Sequence, residues 1–172
     1  MRRVLGFDVA NRTGYALIEE TRTDTCAVVV EAGIIELTKG QKLEAQLDDL
    51  RAGVVLALRN RGQFDLAIYE EVPVRHGRGA ELLGLQHKQY GALLVAFASM
   101  PFIHAVTSVS PDRWHMDMLG IMRNRPRLKA WAKAQAYIRT GYKTDDEDIN
   151  DAVLIALWGL GALRLGLVKA AE

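Results

Sequence analysis

The sequence predicts an α/β fold: a mixed five-stranded sheet, made of a β-meander followed by βαβ crossovers, with helices on both faces. Three observations predict it. Up to Leu37 the chain is a series of apolar and β-branched runs separated by short polar turns. After Gln41 the apolar spacing changes to three and four residues, the helical period. Two later β-type runs, 64–72 and 102–109, then alternate with helical segments, the pattern that builds crossovers beside a meander.

Residues 3–9 and 14–19 read as strands joined by a tight turn that ends at Gly14. "CAVVVEAGIIEL", 26–37, is a third strand. Leu43, Leu47, Leu50, Val54 and Leu58 mark an amphipathic helix over 41–61. "FDLAIYEEV", 64–72, is the fourth strand, "PVRHGRGA", 73–80, a basic glycine-containing loop, and 81–98 a long helix. "FIHAVTSV", 102–109, is the fifth strand, with His104 expected in the core. Ser110-Pro111 is a helix start, with Ser as N-cap and Pro at the first helical position. "GIMRNRP", 120–126, is a loop; a helix runs from Arg127 to Thr140 and ends at Gly141. Asp145 or Asp146 opens the last helix, which runs to about Gly166. The order is βββ-α-β-α-β-α-α-α. No linker-like segment divides it, so residues 1–172 read as one domain.

Composition narrows the class. With 172 residues, 49% apolar and 25% charged, the chain can bury a sizeable core. A net charge of +1 confines any nucleic-acid footprint to a local patch. A single cysteine, Cys26, excludes an intrachain disulfide, fits a reducing compartment and is expected to be a small apolar strand residue. No secretory leader is apparent, because Asp8 interrupts the apolar run that follows Met1-Arg2-Arg3. The most apolar stretch, Ala152–Leu163, is well short of the ~20 residues a membrane span needs. Cytoplasmic residence, in a bacterial or phage-infected host cell, and no membrane partner are the expectations.

Three acidic features break the apolar patterning. Asp8 lies on the first strand, Glu70-Glu71 end the fourth, and Asp148 and Asp151 enter the last helix. A right-handed crossover from the meander returns the fourth strand beside the first, which sets Asp8 beside one of the two glutamates. Alternation sends Glu70 and Glu71 to opposite faces, so only one can join it. Asp148 and Asp151, three apart, share one helix face. Converging carboxylates repel unless cations or shared protons neutralise them. Oxygen-only ligation suits Mg²⁺ or Mn²⁺, and two ions ~3.5–4 Å apart can activate water and stabilise the leaving oxygen of a phosphodiester. Taken singly, each acid is more often a helix start, turn or ion pair than a ligand; their joint placement is the specific signal.

The motifs resemble those of the RuvC-type Holliday junction resolvases of the RNase H-like superfamily, over nearly the whole chain. "VLGFDVANRTGYALI" is similar to the first motif, "AIYEEVP" to the second, "GLQHKQYGALLVAF" to the helix that follows, and "DINDAVLIALW" to the last. The short, divergent form resembles phage- or virus-encoded members. The resemblance implies an RNase H-like fold, Glu70 rather than Glu71 as ligand, and Asp8, Glu70, Asp148 and Asp151 as both catalytic and metal-binding. It further implies two Mg²⁺ per site, with Mn²⁺ able to substitute, a homodimer, and symmetric nicking of a four-way junction. One departure is Pro73, where the family often carries a base-stacking aromatic residue.

Positive charge is local. Between Pro111 and Lys143 eight Lys/Arg face two acids. Arg113, His115, Arg127, Lys129 and Lys133 are candidate DNA contacts, with Arg123 and Arg125 of "RNRPR" and Arg75 and Arg78 of "RHGRG", the last expected to reach DNA near the scissile phosphate. Gly84, Lys88, Gly91, Val95 and Ala98 form a small-residue stripe that fits either the sheet or a partner helix.

The resulting expectation is a Mg²⁺-dependent, structure-selective DNA endonuclease acting on branched DNA. Two rivals remain: a nuclease of the same fold acting on flaps, forks or RNA–DNA hybrids, and a non-catalytic nucleotide- or DNA-binding module, since "GFDVANRTGYALI" also resembles the phosphate segment of actin-like ATPases.

Overall fold

The computed structural model describes residues 1–10, 12–21, 26–38, 40–71, 80–120 and 125–168, without the side chains of 80–83, 86, 125 and 126. The elements are β1 (Arg3–Asp8), β2 (Arg12–Glu20), β3 (Ala27–Glu36), α1 (Leu43–Leu58), β4 (Leu66–Glu70), α2 (Ala80–Ala98), β5 (Val106–Val109), α3 (Pro111–Leu119), α4 (Arg125–Thr140) and α5 (Glu147–Arg164). The strands form one sheet in the order β3-β2-β1-β4-β5. The β1–β2 and β2–β3 pairs are antiparallel, whereas β1–β4 and β4–β5 are parallel. This is the mixed five-stranded sheet expected from the sequence.

Strand alternation divides the apolar residues between two cores. Val4, Leu66 and Ile68 face Trp114, Ala132 and Leu154 on the side of α3, α4 and α5. Leu5, Phe7 and Ala67 face Leu50, Val54 and Leu93 on the side of α1 and α2. Burial of each such Val, Leu, Ile or Phe side chain stabilises the fold by roughly 1.5–3 kcal/mol.

Helix α5 sits directly on strand backbone. A Cβ on Gly6 would overlap the carbonyl of Ala152, and one on Gly14 would overlap the carbonyl of Asp148. A Cβ on Gly159, on the helix itself, would fall 2.9 Å from Ile68 and 3.1 Å from Val4. Glycine at these points lets the helix approach the sheet more closely than side chains would permit. Asp146 caps α5, its carboxylate accepting from the backbone N–H of Asp148 at 3.1 Å and of Ile149 at 3.2 Å.

Several local expectations need correction. β5 is shorter than 102–109, because Phe64 and Ile103 meet only in an isolated bridge before regular pairing begins at Val106. His104 is exposed rather than in the core, and Cys26 is exposed and precedes β3. α4 begins at Arg125, inside the expected loop; Pro126 in its first turn removes only a donor that has no helical partner there. Gly91, Val95 and Ala98 point outward, so the small-residue stripe does not pack on the sheet. Among the described residues no helix is long and apolar enough to cross a membrane.

Candidate active site

Strand parity decides which glutamate joins Asp8. In the parallel β1–β4 register, Gly6 pairs with Ile68 and Phe7 with Tyr69. Asp8 and Glu70 each follow directly, on neighbouring strands about 4.8 Å apart, with the parity of Val4 and Ile68. Both carboxylates therefore point to the α5 side. Glu71 has the opposite parity; its backbone N–H donates to Val109 O at 2.8 Å and its carboxylate accepts from the Ser108 hydroxyl.

The backbone contact at Gly14 brings the first turns of α5 to the same end of the sheet. Asp148 and Asp151 then complete an acidic cluster with Asp8 and Glu70. The electrostatic consequence appears at Asp8, whose carboxyl is held well above its ordinary range. Burial is the largest cause, followed by the charges of Glu70 and Asp151; Lys129 opposes the rise and Asp148 adds to it.

Glu70, Asp148 and Asp151 each have a protein partner. The indole N–H of Trp114, itself fully buried, donates to Glu70 Oε2 at 2.6 Å. The Arg12 guanidinium donates to Asp148 Oδ2 and to both oxygens of Asp146, and also reaches Glu36 at 3.3 Å. The Lys129 ammonium lies 2.5 Å from Asp151 Oδ2 and 3.7 Å from Glu147. Burial alone would lower the affinity of Lys129 for its proton, but Asp151 and then Asp8 and Glu147 outweigh it, so the ammonium is held above its ordinary range. Burial pushes Asp151 up, and the opposing pull of Lys129 does not cancel it.

The donor set fits a hard divalent cation. It is all carboxylate oxygen, partly buried, and carries more negative charge than one lysine and one arginine balance. As they stand, no three acidic, imidazole or thiol side chains among the described residues close on a common point.

The basic candidates are dispersed. Among the described candidates, Lys129 pairs with Asp151 of the acidic cluster. Lys133 pairs with the exposed Asp145, and Arg127 is exposed. His115 lies against Trp114, the ring centroids 3.9 Å apart and the planes tilted by 58°. Arg113 bonds Asp117 at 3.1 Å and lines a groove of about 660 Å³ with Trp158 and Arg164, away from the acids. Arg75, Arg78 and Arg123 lie outside the described residues, as does the side chain of Arg125.

With that geometry in hand, no protein-family model and no curated protein matches the sequence. Solved structures do match. Thermus thermophilus RuvC in complex with Holliday junction substrate aligns over 98% of this chain and 99% of its own, with a TM-score of 0.77 and 19% identity. The chain has the RuvC fold. Fowlpox virus resolvase, solved with its substrate Holliday junction DNA, covers 94% of this chain and 98% of its own at TM-score 0.56 and 13% identity. The yeast mitochondrial Holliday junction resolvase Ydc2 covers 90% and 76%, at TM-score 0.56 and 16% identity. At such identities the likeness is one of fold.

Within this RuvC fold, sequence reasoning missed the supporting partners. Arg12, Trp114 and Tyr90 carry no sequence signal of a role at the site. Tyr90 stacks 5.3 Å from Tyr69, and its phenol is pushed upward by burial first and then by Glu70 and Asp8. No local pattern marks any of the three, because Arg12 and Trp114 meet their acids across tertiary contacts and Tyr90 feels its acids only through the fold.

Proposed function

We propose that this protein is a divalent-metal-dependent, structure-selective DNA endonuclease that resolves four-way junctions, with residues 1–172 as one nuclease domain. The observation that carries the reading is the half-buried Asp8 carboxylate facing the charges of Glu70, Asp151 and Asp148, a cluster that calls for added positive charge. Two of the solved structures that share its fold are complexes with Holliday junction DNA, which supports junction DNA as substrate.

Asp8, Glu70, Asp148 and Asp151 would hold the ion, Mg²⁺ or Mn²⁺, and two ions per site is the expected stoichiometry. An ion bound there supplies a water activated for attack on phosphorus and charge stabilisation of the departing oxygen. The chain itself does the positioning. Trp114 fixes the Glu70 carboxylate, and Arg12 fixes Asp148 against the helix cap. Arg127 and Lys133, with the basic segments around Arg75, Arg78, Arg123 and Arg125, would bind the phosphate backbone. A homodimer, contacting through the outward stripe of α2, would set two sites at a fixed separation, as paired nicks require.

The test uses end-labelled four-way junction, flap, fork and linear duplex of matched sequence, incubated with Mg²⁺, with EDTA and Asp148→Asn as controls. Paired symmetric nicks on the junction, lost in both controls, are expected. Selective cutting of flaps or forks would transfer the same chemistry to a different substrate. Tight binding of junction or ATP without any cutting would overturn the catalytic reading.

A further inference from the structure

The two acids of α5 are held by different kinds of cation. Arg12 spans Asp146 and Asp148, tying the helix cap to the start of β2. Its planar fork serves two carboxylates at once, so releasing it would loosen the helix terminus. Lys129 is a single point charge on a flexible stem, reaching from α4 to one oxygen of Asp151. That oxygen belongs to a carboxyl group only 11% exposed, whereas the neighbouring Lys133 pairs with a carboxylate 90% exposed.

The difference in burial matters. An uncompensated carboxylate at Asp151, beside Asp8, would be strongly destabilising, so the metal-free fold needs a cation there. A second cation arriving at the same acid meets the first one. An ammonium and a divalent ion sharing Asp151 would repel each other at contact range, where little water screens them. Lys129, on a flexible stem and bound to one oxygen of Asp151, can withdraw by rotation of its side chain alone, whereas Arg12 would have to break its bonds to both Asp146 and Asp148.

We propose that Lys129 is a tethered place-holder cation, which a divalent ion displaces from Asp151 as the acidic cluster loads, while Arg12 stays in place. The inference rests on the reading of Asp8, Glu70, Asp148 and Asp151 as metal ligands. Metal loading is then an exchange of one cation for another, and the freed ammonium is delivered to the mouth of the site only after the ion has bound.

The full chain serves for the test. Mn²⁺ binding is measured by titration calorimetry for the wild type, Lys129→Met, Lys129→Arg, Lys133→Met and Asp8→Asn. In parallel, acylation of each lysine in the wild type is followed by mass spectrometry as Mn²⁺ is added. Lys129→Met is expected to bind Mn²⁺ roughly tenfold more tightly, while Lys129→Arg and Lys133→Met stay within about threefold of wild type. Acylation of Lys129 should rise several-fold with Mn²⁺ occupancy while that of Lys133 stays level. Unchanged or weaker binding by a folded Lys129→Met, or constant acylation of Lys129 at full Mn²⁺ occupancy, overturns the exchange. If Lys129→Met does not fold, the acylation series on the wild type decides alone. Absence of Mn²⁺ binding by the wild type, or binding that Asp8→Asn leaves intact, would instead remove the metal-site reading, and the exchange with it.

Discussion

Trp114 donates its indole N–H to Glu70 Oε2 at 2.6 Å from a position with no solvent exposure. One side chain thus belongs both to the core and to the acidic cluster. Trp114→Phe keeps most of the ring volume and removes the donor. The expected stability loss is about 1–2 kcal/mol, the size of a hydrogen bond to a charged group. Junction cleavage should fall roughly 10- to 100-fold, as for other groups that orient a ligand. Urea denaturation and initial cleavage rates separate the two effects; unchanged rates would assign Trp114 to packing alone.

A methyl group at Gly14 would collide with the Asp148 carbonyl, and backbone cannot yield as a flexible side chain does. Gly14→Ala should cost more than about 2 kcal/mol and displace the first turn of α5. Gly91→Ala on α2, where a Cβ meets nothing within 4 Å, should be neutral or stabilise by about 0.5–1 kcal/mol. Thermal melts of the pair check this, and equal effects would refute the backbone contact.

Asp8→Asn should stabilise the metal-free protein at neutral pH. The folded carboxyl lies well above its ordinary value of 3.8, through burial first and then Glu70 and Asp151. The stability linked to its proton is therefore complete below that ordinary value and is lost as pH rises through the folded one. The advantage of Asn should be greatest at pH 7 and vanish in acid. Urea midpoints in EDTA between pH 3 and 8 read it directly, and a variant no more stable than wild type at pH 7 would contradict the assignment.

Glu20 behaves oppositely. Burial pushes its carboxyl up, but hydrogen bonds from Arg164 at 2.8 Å and from the Arg2 backbone, with both arginine charges, outweigh burial and hold it below its ordinary value of 4.5. Its contribution is present above that value and lost as pH falls through the folded one. Glu20→Gln should be less stable than wild type at pH 7, and the gap should close below pH 4.5. A gap independent of pH would point to packing instead of charge.

Much of this architecture was legible in the chain. Asp8 in an apolar run, a lone parity choice between Glu70 and Glu71, and the Asp148–Asp151 spacing are local patterns, and local patterns report strand alternation and helical faces faithfully. Residues 102–105 read as strand because their composition is apolar and β-branched, yet regular pairing with β4 starts only at Val106. His104 sits in that irregular stretch, which is why alternation failed to place it. The pairings of Arg12 with Asp148 and Lys129 with Asp151 join positions 136 and 22 residues apart. Such contacts depend on how one helix lands on the sheet, and composition carries no record of that.

The glycines beneath and along α5 imply a joint with discrete settings. Gly6 and Gly14 on the strands and Gly159 on the helix each receive a specific partner, so no small axial slide keeps all three seated. The next position at which similar faces meet is one helical turn away, about 5.4 Å along the axis. A carboxylate pair moved that far is withdrawn from its site entirely. Damage to this joint should therefore give mixtures of fully competent and wholly inert molecules, with the active fraction falling while each remaining active molecule turns over at the normal rate.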